Sequence, residues 1–246
     1  MHITIVTGAS QNHIRSLYQF ISSIQLFADL DHTVIIYDLG CSPVSIQALK
    51  EKFPLYIFRT FDYSKYPEFY NIEVNCGQYA WKSACIKECL LDAKDVLFWG
   101  DAGTKITHPL STLYNVIKHY TIYSLLSSNH ISDKTHSDTF KYFGNKQEHK
   151  DTIMLSGGVQ GYDLYSEDII DFIYNLASLC SQENIIAPPG SNRDNHRQDQ
   201  SIFSILYYEY AKTHKLDQKF NFRFFAGYSI HNDVEDKSST SWLLPS

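Results

Sequence analysis

Short apolar segments alternate with amphipathic segments along the first sixty residues. The apolar runs Ile3–Thr7, Thr33–Tyr37 and Leu55–Phe61 predict buried strands. Between the first two, residues 13–27 carry apolar side chains at helical spacing, and Ser42-Pro43 begins a second helix that ends near Phe53. This strand–helix–strand–helix–strand order predicts a parallel sheet with right-handed crossovers.

A further apolar run leads to the most informative residue of the chain. Val96–Trp99 predicts a strand buried on both faces, and it leads directly into the tight turn Gly100-Asp101-Ala102-Gly103. The turn puts a carboxylate at the carboxyl end of the strand, which is the edge where open α/β sheets bind ligands. Asp is also a common turn former. A chemical role for Asp101 therefore depends on the rest of the chain.

The second half of the chain is less regular. Its pattern predicts helices over residues 79–91, 110–120, 167–179 and 199–212, and strands over 121–126 and 222–225. The polar residues from 127 to 150 predict a surface loop or flap, and the Pro- and Asn-rich residues 181–197 predict a long loop. We find no repeat and no linker. We therefore expect one α/β domain over residues 1–246, with a mostly parallel central sheet and helices on both faces.

Composition narrows the function classes. The chain has 246 residues, 43% of them hydrophobic, which is enough for a substantial core. Its net charge of −6 and the lack of any Lys or Arg run give no basic footprint for nucleic acid. Five cysteines without regular spacing suit a reducing compartment, and we expect Cys85 and Cys89 to be core residues. With no signal peptide and no long apolar run, we expect a cytoplasmic protein without a membrane span.

The first strand-to-helix turn excludes one familiar class. Thr7-Gly8-Ala9-Ser10 begins like the dinucleotide-binding turn of short-chain dehydrogenases, but Asn12 and Ile14 stand where that turn needs its second and third glycines. The Tyr-x-x-x-Lys motif of that family corresponds to Tyr142 and Lys146, which lie in a Gly-containing polar stretch unsuited to the required helix. We reject this interpretation.

Other candidate residues lie at predicted element ends. Asp38 follows the second strand, where it would face a ribose or simply close a turn. Lys82 lies near the start of a helix, where its charge opposes the helix dipole, so its partner is a ligand phosphate or solvent. Gly157 and Gly158 would let the backbone pass close to a ligand, or would form a plain turn.

Three candidates lie further along the chain. Asp199 and Gln200 begin the last predicted helix, where Asp199 would cap the helix, orient sugar hydroxyls or accept a proton. Arg197 precedes them and could bind an anion, while His231 near the end of the chain is a hydrogen-bonding residue or a ligand.

Taken in order, these pieces resemble glycosyltransferases of the GT-A fold. The order is similar to that of the branch containing glycogenin and bacterial galactosyltransferases. The closer likeness is to a little-characterised GT-A-like family with Tyr-x-Trp-Lys and Trp-x-Asp-Ala-Gly motifs. Here these motifs are Tyr79-Ala80-Trp81-Lys82 and Trp99-Gly100-Asp101-Ala102-Gly103. The likeness spans nearly the whole chain.

The resemblance implies a nucleotide-binding half over residues 1–107 and an acceptor-side half over residues 108–246. It assigns the donor nucleotide and its sugar to one set of residues: Thr7, Gly8, Ala9, Asp38, Lys82, Gly157, Gly158 and Arg197. Asp101 and His231 would hold Mn²⁺ or Mg²⁺, and Asp199, Gln200 and Asp101 would be catalytic. The partners would be a nucleotide-sugar donor and a carbohydrate or glycoprotein acceptor.

One departure from the family pattern keeps alternatives open. Gly103 replaces the second acid of the family's Asp-x-Asp motif, whereas hard divalent cations prefer several oxygen ligands. A non-catalytic protein that binds nucleotide sugars or glycans on the same scaffold is the main alternative to an enzyme. A nucleotidyltransferase ranks last, because the Gly-rich basic loop expected after the first strand is missing.

Overall fold

A computed structural model describes residues 1–214 and 227–234. The strands are β1 (His2–Ala9), β2 (Asp31–Asp38), β3 (Ile57–Thr60), β4 (Val96–Gly100), β5 (Lys105–Ile106), β6 (Ile122–Tyr123), β7 (Leu126–His130), β8 (Ile153–Leu155), β9 (Val159–Asp163) and β10 (Tyr228–Ser229). The helices are α1 (Ile14–Leu26), α2 (Pro43–Lys52), α3 (Ala80–Glu88), α4 (Leu110–Tyr120), α5 (Ser137–Tyr142), α6 (Gln147–Lys150), α7 (Glu167–Cys180), α8 (Glu183–Ile186) and α9 (Gln198–Thr213).

The central sheet has six strands in the order β3-β2-β1-β4-β9-β6. The pairs β1–β2, β2–β3 and β1–β4 are parallel, while β9 is antiparallel to both β4 and β6. Five strands therefore share one direction, and β9 alone is reversed. The mostly parallel α/β sheet predicted from the sequence is confirmed.

Alternate side chains of the central strands pack into two different cores. Val96 and Phe98 of β4 face a core that includes side chains of α1 and α4, whereas Leu97 and Trp99 face a core that includes α3, α7 and α9. All four side chains are fully buried. Helices thus cover both faces of the sheet, which explains why the central strand β4 is an apolar run in the sequence.

Two stretches that the sequence analysis predicts as loops are partly ordered in short elements. Residues 127–150 contain most of β7 together with α5 and α6, and Ile131, Phe140 and Phe143 are buried. Residues 181–197 include α8, which buries Ile185. The prediction of a flap was wrong because a few apolar side chains among many polar ones are enough to anchor short elements.

Smaller differences concern element ends. The strand predicted over residues 121–126 is divided between β6 and β7. The strand predicted over 222–225 lies outside the described residues.

Cys85 and Cys89 are buried and unpaired, as expected for core cysteines. Within residues 1–214 and 227–234, no helix combines the length and the apolar character needed to cross a lipid bilayer.

Candidate active site

A cavity of about 980 Å³ opens at the carboxyl edge of the central sheet. The strand order reverses between β1 and β4, and in α/β sheets that reversal leaves a crevice where ligands bind. Gly8 and Ser10 line the cavity after β1, Asp101 lines it after β4, and Gly158 lines it before β9. Its size is at the upper end of the range for small-molecule sites.

A buried lysine joins two carboxylates in this cavity. The Nζ atom of Lys82 lies 3.1 Å from Oδ1 of Asp101 and 3.2 Å from Oδ2 of Asp199. It also donates a hydrogen bond of 2.9 Å to the carbonyl oxygen of Gly157. The side chain of Lys82 is only 4% exposed. Lys82 is thus almost fully removed from solvent, and its pairing with both acids was not anticipated from the sequence.

Burial and charge act in opposite directions on this group. Burial by itself would lower the pKa of Lys82, but the two carboxylates raise its pKa above the usual value, so the ammonium stays charged. Burial raises the pKa of Asp199 to about 6, an effect that Lys82 opposes and Asp101 reinforces. Asp199 can therefore gain or lose a proton close to neutral pH, as a group that exchanges protons with a substrate must.

Asp101 is held by its neighbours but remains accessible. The indole Nε1 of Trp99 donates a hydrogen bond of 2.8 Å to its Oδ1 atom. Its backbone N–H donates to the carbonyl of Gly158 at 2.8 Å, and its own carbonyl accepts from Thr104 at 2.8 Å. The side chain of Asp101 is 46% exposed. The turn therefore fixes the direction of the carboxylate and leaves one side of it open to a ligand.

Asp199 lies inside the first turn of α9 and does not cap it. The N-cap residue is Arg197, and Gln198 between them has a left-handed φ of +39°. A Cβ atom on Gly157 would stand 3.1 Å from Oδ2 of Asp199, and one on Gly158 would stand 3.2 Å from Oδ2 of Asp101. The two glycines thus allow the backbone to pass close to both acids.

A left-handed turn introduces the helix that carries Lys82. The five residues Asn75–Tyr79 all have positive φ, with values between 47° and 59°. A Cβ atom on Gly77 would stand 2.2 Å from the carbonyl oxygen of Tyr70, so only glycine fits there. Each non-glycine residue in this conformation costs about 1–2 kcal/mol. Such strain is concentrated at functional sites, and Cys76 and Tyr79 line the cavity.

Most of the residues proposed from the sequence line this one cavity. They are Gly8, Lys82, Asp101, Gly157, Gly158, Arg197, Asp199, Gln200 and His231. The other three do not: Thr7 and Ala9 are buried within β1, and the Asp38 carboxylate accepts hydrogen bonds from the backbone N–H groups of Gly40 and Cys41. Asp38 thus forms the turn that its sequence position also allowed.

The cavity also contains a carboxylate that the sequence analysis missed. Asp233 lines it, and its Oδ1 atom lies 3.6 Å from Nδ1 of His13. No local motif marks Asp233, whose neighbourhood in the fold depends on contacts far apart in the sequence. Among residues 1–214 and 227–234, no three His, Cys, Asp or Glu side chains are grouped closely enough to hold a metal ion by themselves.

Comparison with solved structures identifies the fold. The galactosyltransferase LgtC, solved with donor and acceptor sugar analogues, superposes with a TM-score of 0.59 at 15% identity, covering 92% of this chain and 86% of LgtC. Mouse xyloside xylosyltransferase 1, in its apo form, superposes with a TM-score of 0.53 at 11% identity, covering 85% of this chain and 82% of the xylosyltransferase. The bifunctional glycosyltransferase WbbM, also in its apo form, superposes with a TM-score of 0.57 at 14% identity, covering 84% of this chain and 37% of WbbM. At these identities the likeness shows a GT-A-type fold.

Sequence comparisons are less informative. A family profile described as "Protein of unknown function (DUF1647)" matches residues 1–87, which is about a third of the chain and ends just after Lys82. A search of curated protein sequences found no significant match. The little-characterised family with the Tyr-x-Trp-Lys motif therefore stays a prediction.

Proposed function

We propose that this protein is a glycosyltransferase that moves a sugar from a nucleotide-diphosphate sugar to a hydroxyl group of an acceptor. The observation that carries the proposal is the contact of Lys82 with both Asp101 and Asp199. Lys82 is a buried cation between two acids, and it lies in the ligand crevice of a GT-A-type fold. It connects Asp101, on the side proposed to bind the charged donor, with Asp199, which can accept a proton. Inverting glycosyl transfer needs both functions, and every glycosyl transfer needs charge stabilisation at the donor and correct placement of the acceptor.

Asp199 has the chemistry required next to the transferred sugar. Its pKa of about 6 leaves it mostly ionised at pH 7, yet it is able to accept a proton. In an inverting reaction, Asp199 would take the proton from the acceptor hydroxyl as that oxygen attacks the sugar. In a retaining reaction, Asp199 and Gln200 would instead position the sugar while the leaving diphosphate assists the acceptor.

The leaving diphosphate needs positive charge around it. The described cations that line the cavity are Lys82, Arg193 and Arg197, and the carboxylates of Asp101 and Asp199 already neutralise Lys82. Arg193 donates a hydrogen bond of 3.1 Å to the Tyr79 hydroxyl and makes no ion pair among the described residues. In this proposal the two arginines contact the diphosphate, and Lys82 orders the acids beside it.

A divalent cation would complete this charge balance. Asp101 offers an accessible oxygen and His231 lines the same cavity, so these two residues would hold Mn²⁺ or Mg²⁺ together with phosphate oxygens of the donor. When bound, the metal would neutralise charge on the departing diphosphate. No step assigned to this chain's residues above depends on it.

The binding of the nucleotide and of the acceptor is assigned to the two halves of the chain as the sequence resemblance implies. Residues 1–107 would bind the nucleotide, with Thr7, Gly8, Ala9 and Asp38 close to it, and residues 108–246 would bind a carbohydrate or glycoprotein acceptor. Because Thr7 and Ala9 do not line the cavity in this structure, they would act by shaping the backbone at Gly8. We expect this activity in the cytoplasm.

A panel of UDP-, GDP-, CMP- and dTDP-sugars, each tested by thermal shift with Mn²⁺ and with EDTA, tests the donor site. One nucleotide diphosphate sugar should raise the melting temperature of the wild type, and an Arg197→Gln variant should show a smaller rise. If no nucleotide sugar shifts the wild-type melting temperature, the donor-site assignment is wrong.

The second candidate is a non-catalytic protein that binds nucleotide sugars or glycans. Its supporting observation is Gly103, which removes one acid from the expected metal-binding motif. The two functions separate in one assay: an enzyme slowly hydrolyses its donor without an acceptor, whereas a binding protein leaves it intact.

A further inference from the structure

The space beside Gly103 is already filled by a carboxylate from elsewhere in the chain. A Cβ atom built on Gly103 would stand 2.7 Å from Oδ1 and 2.8 Å from Oδ2 of Asp233. Real side chains do not approach so closely, so any residue larger than glycine at 103 would have to displace Asp233. The position where a second acid would project from the turn is therefore occupied by an acid 130 residues further along the chain.

Several hydrogen bonds fix the residues on either side of Asp233. The strand β10 pairs with β5, and the backbone N–H of Asn232 donates to the carbonyl of Gly103 at 2.9 Å. On the other side, the N–H of Val234 donates to the hydroxyl of Ser16 at 2.9 Å, and Gln19 donates to the carbonyl of Asn232 at 3.0 Å. The backbone on both sides of Asp233 is thus fixed next to the turn that carries Asp101.

This corner of the cavity also contains an unsatisfied oxygen. Thr104 follows Gly103, lines the same cavity and is only 1% exposed, yet its hydroxyl has no hydrogen-bond partner among the described residues. Buried hydroxyls are nearly always paired. Asp233 itself is 53% exposed, and its only described ion pair, with His13, is long. The corner thus combines exposed carboxylate oxygens with a buried hydroxyl that has no described partner.

We infer that Asp233 supplies the second carboxylate of a divalent-cation site shared with Asp101, and that Gly103 is the residue that makes room for it. This inference rests on the proposed function, because donor phosphate oxygens would complete the site beside Asp101, Asp233 and His231. Mg²⁺ and Mn²⁺ suit such sites, with one or two carboxylates plus substrate phosphates. The lack of a closed three-ligand cluster in the described residues then means that tight cation binding requires the nucleotide.

The test measures Mn²⁺ binding directly, by loss of the free-ion signal in electron paramagnetic resonance, with and without UDP, GDP, CDP or dTDP. We expect tight binding by the wild type only with the nucleoside diphosphate that raises its melting temperature. Asp233→Asn should weaken that binding at least tenfold. The matched control is Glu73→Gln, which removes another exposed carboxylate of the same cavity and should change Mn²⁺ binding by less than twofold.

A swap of the two positions makes the test specific. Gly103→Asp combined with Asp233→Gly returns the second acid to the turn and should restore Mn²⁺ binding to within about threefold of the wild type. Gly103→Asp alone should bind Mn²⁺ more weakly than the wild type, because its side chain displaces the Asp233 carboxylate and adds a like charge beside it. Equal Mn²⁺ binding by the wild type and Asp233→Asn overturns the inference, as does a folded double variant that binds no Mn²⁺. A nucleotide-induced thermal shift that does not depend on Mn²⁺ overturns it too, and leaves the proposed function standing. No shift with any nucleotide contradicts the proposed function itself.

Discussion

The strand end that carries Asp101 and the helix start that carries Asp199 present their carboxylates to the same ammonium in different surroundings. The side chain of Asp101 is 46% exposed and receives the indole N–H of Trp99, whereas that of Asp199 is 9% exposed. Burial raises the pKa of Asp199 to about 6. The difference separates two tasks: the open acid is accessible to a metal ion, and the buried acid is suited to hold a proton or a sugar.

Removing the shared cation should have the largest effect. Lys82→Met leaves two carboxylates facing each other, one of them buried, and should lower the free energy of unfolding by about 3–5 kcal/mol at pH 7. For a chain of this size that loss corresponds to a decrease in melting temperature of roughly 10 °C. The decrease should be smaller at pH 5, where Asp199 can accept a proton. Activity should be undetectable.

Lys118 provides the matched control for that variant. It pairs with Asp163 at 2.6 Å but is 31% exposed and does not line the cavity. Lys118→Met should lower the free energy of unfolding by about 1 kcal/mol or less. Equal losses of stability in the two variants, measured by chemical denaturation, would contradict the special position of Lys82.

Replacing the buried acid Asp199 should lower activity without lowering the stability of the fold. Asp199→Asn should lower kcat about 10²–10³-fold, on the scale of losing one preorganised catalytic group. Because the pKa of Asp199 rises from 3.8 to about 6 on folding, its stabilising contribution is complete below pH 3.8 and is lost as the pH rises through 6. Two pKa units correspond to about 3 kcal/mol.

The pH dependence is the critical readout for Asp199→Asn. Relative to the wild type, the variant should gain stability between pH 4 and pH 7, since asparagine cannot ionise. Urea denaturation across that range measures the difference. A constant difference between the two proteins at every pH would show that Asp199 ionises in the folded protein as it does in water.

Replacing the exposed acid Asp101 should leave stability nearly unchanged and lower activity. Asp101→Asn keeps an oxygen that can accept the indole hydrogen bond of Trp99, so its melting temperature should stay within a few degrees of the wild type. Activity should nevertheless fall at least about 10²-fold, because Asp101 then no longer offers a charged oxygen to the cation that would neutralise the departing diphosphate. A large loss of stability without ligand would instead make Asp101 a structural turn residue.

Substitution of the neighbouring glycines Gly157 and Gly158 should have the smallest and most selective effects on activity. An added Cβ reaches Asp199 in Gly157→Ala and Asp101 in Gly158→Ala, in both cases at just over 3 Å. Each acid must then shift by a few tenths of an ångström, which we expect to cost about tenfold in activity. Gly157→Ala should move the pH–rate profile, and Gly158→Ala should weaken nucleotide-dependent Mn²⁺ binding. Identical effects of both changes would erase the distinction between the two acids.

The sequence revealed the sheet because β1, β2 and β4 contain apolar runs that are buried on both faces. It also pointed to Asp101 and Asp199, since each follows a recognisable element boundary. It did not reveal that Lys82 lies between them, because this contact joins residues 19 and 117 positions apart along the chain. Asp233 escaped notice for the same reason. Gly103 alone suggested a missing ligand, and only the packing around it showed that another side chain fills the space.

Donor turnover tests the central claim most directly. The wild type is incubated with each nucleotide-diphosphate sugar and Mn²⁺, and release of the nucleoside diphosphate is followed beside Asp199→Asn and Asp101→Asn. The account predicts that one donor is hydrolysed slowly by the wild type, and at least a hundredfold more slowly by either variant. A donor that binds the wild type tightly and stays intact, with or without sugar acceptors, would contradict a glycosyltransferase and favour a nucleotide-sugar-binding protein.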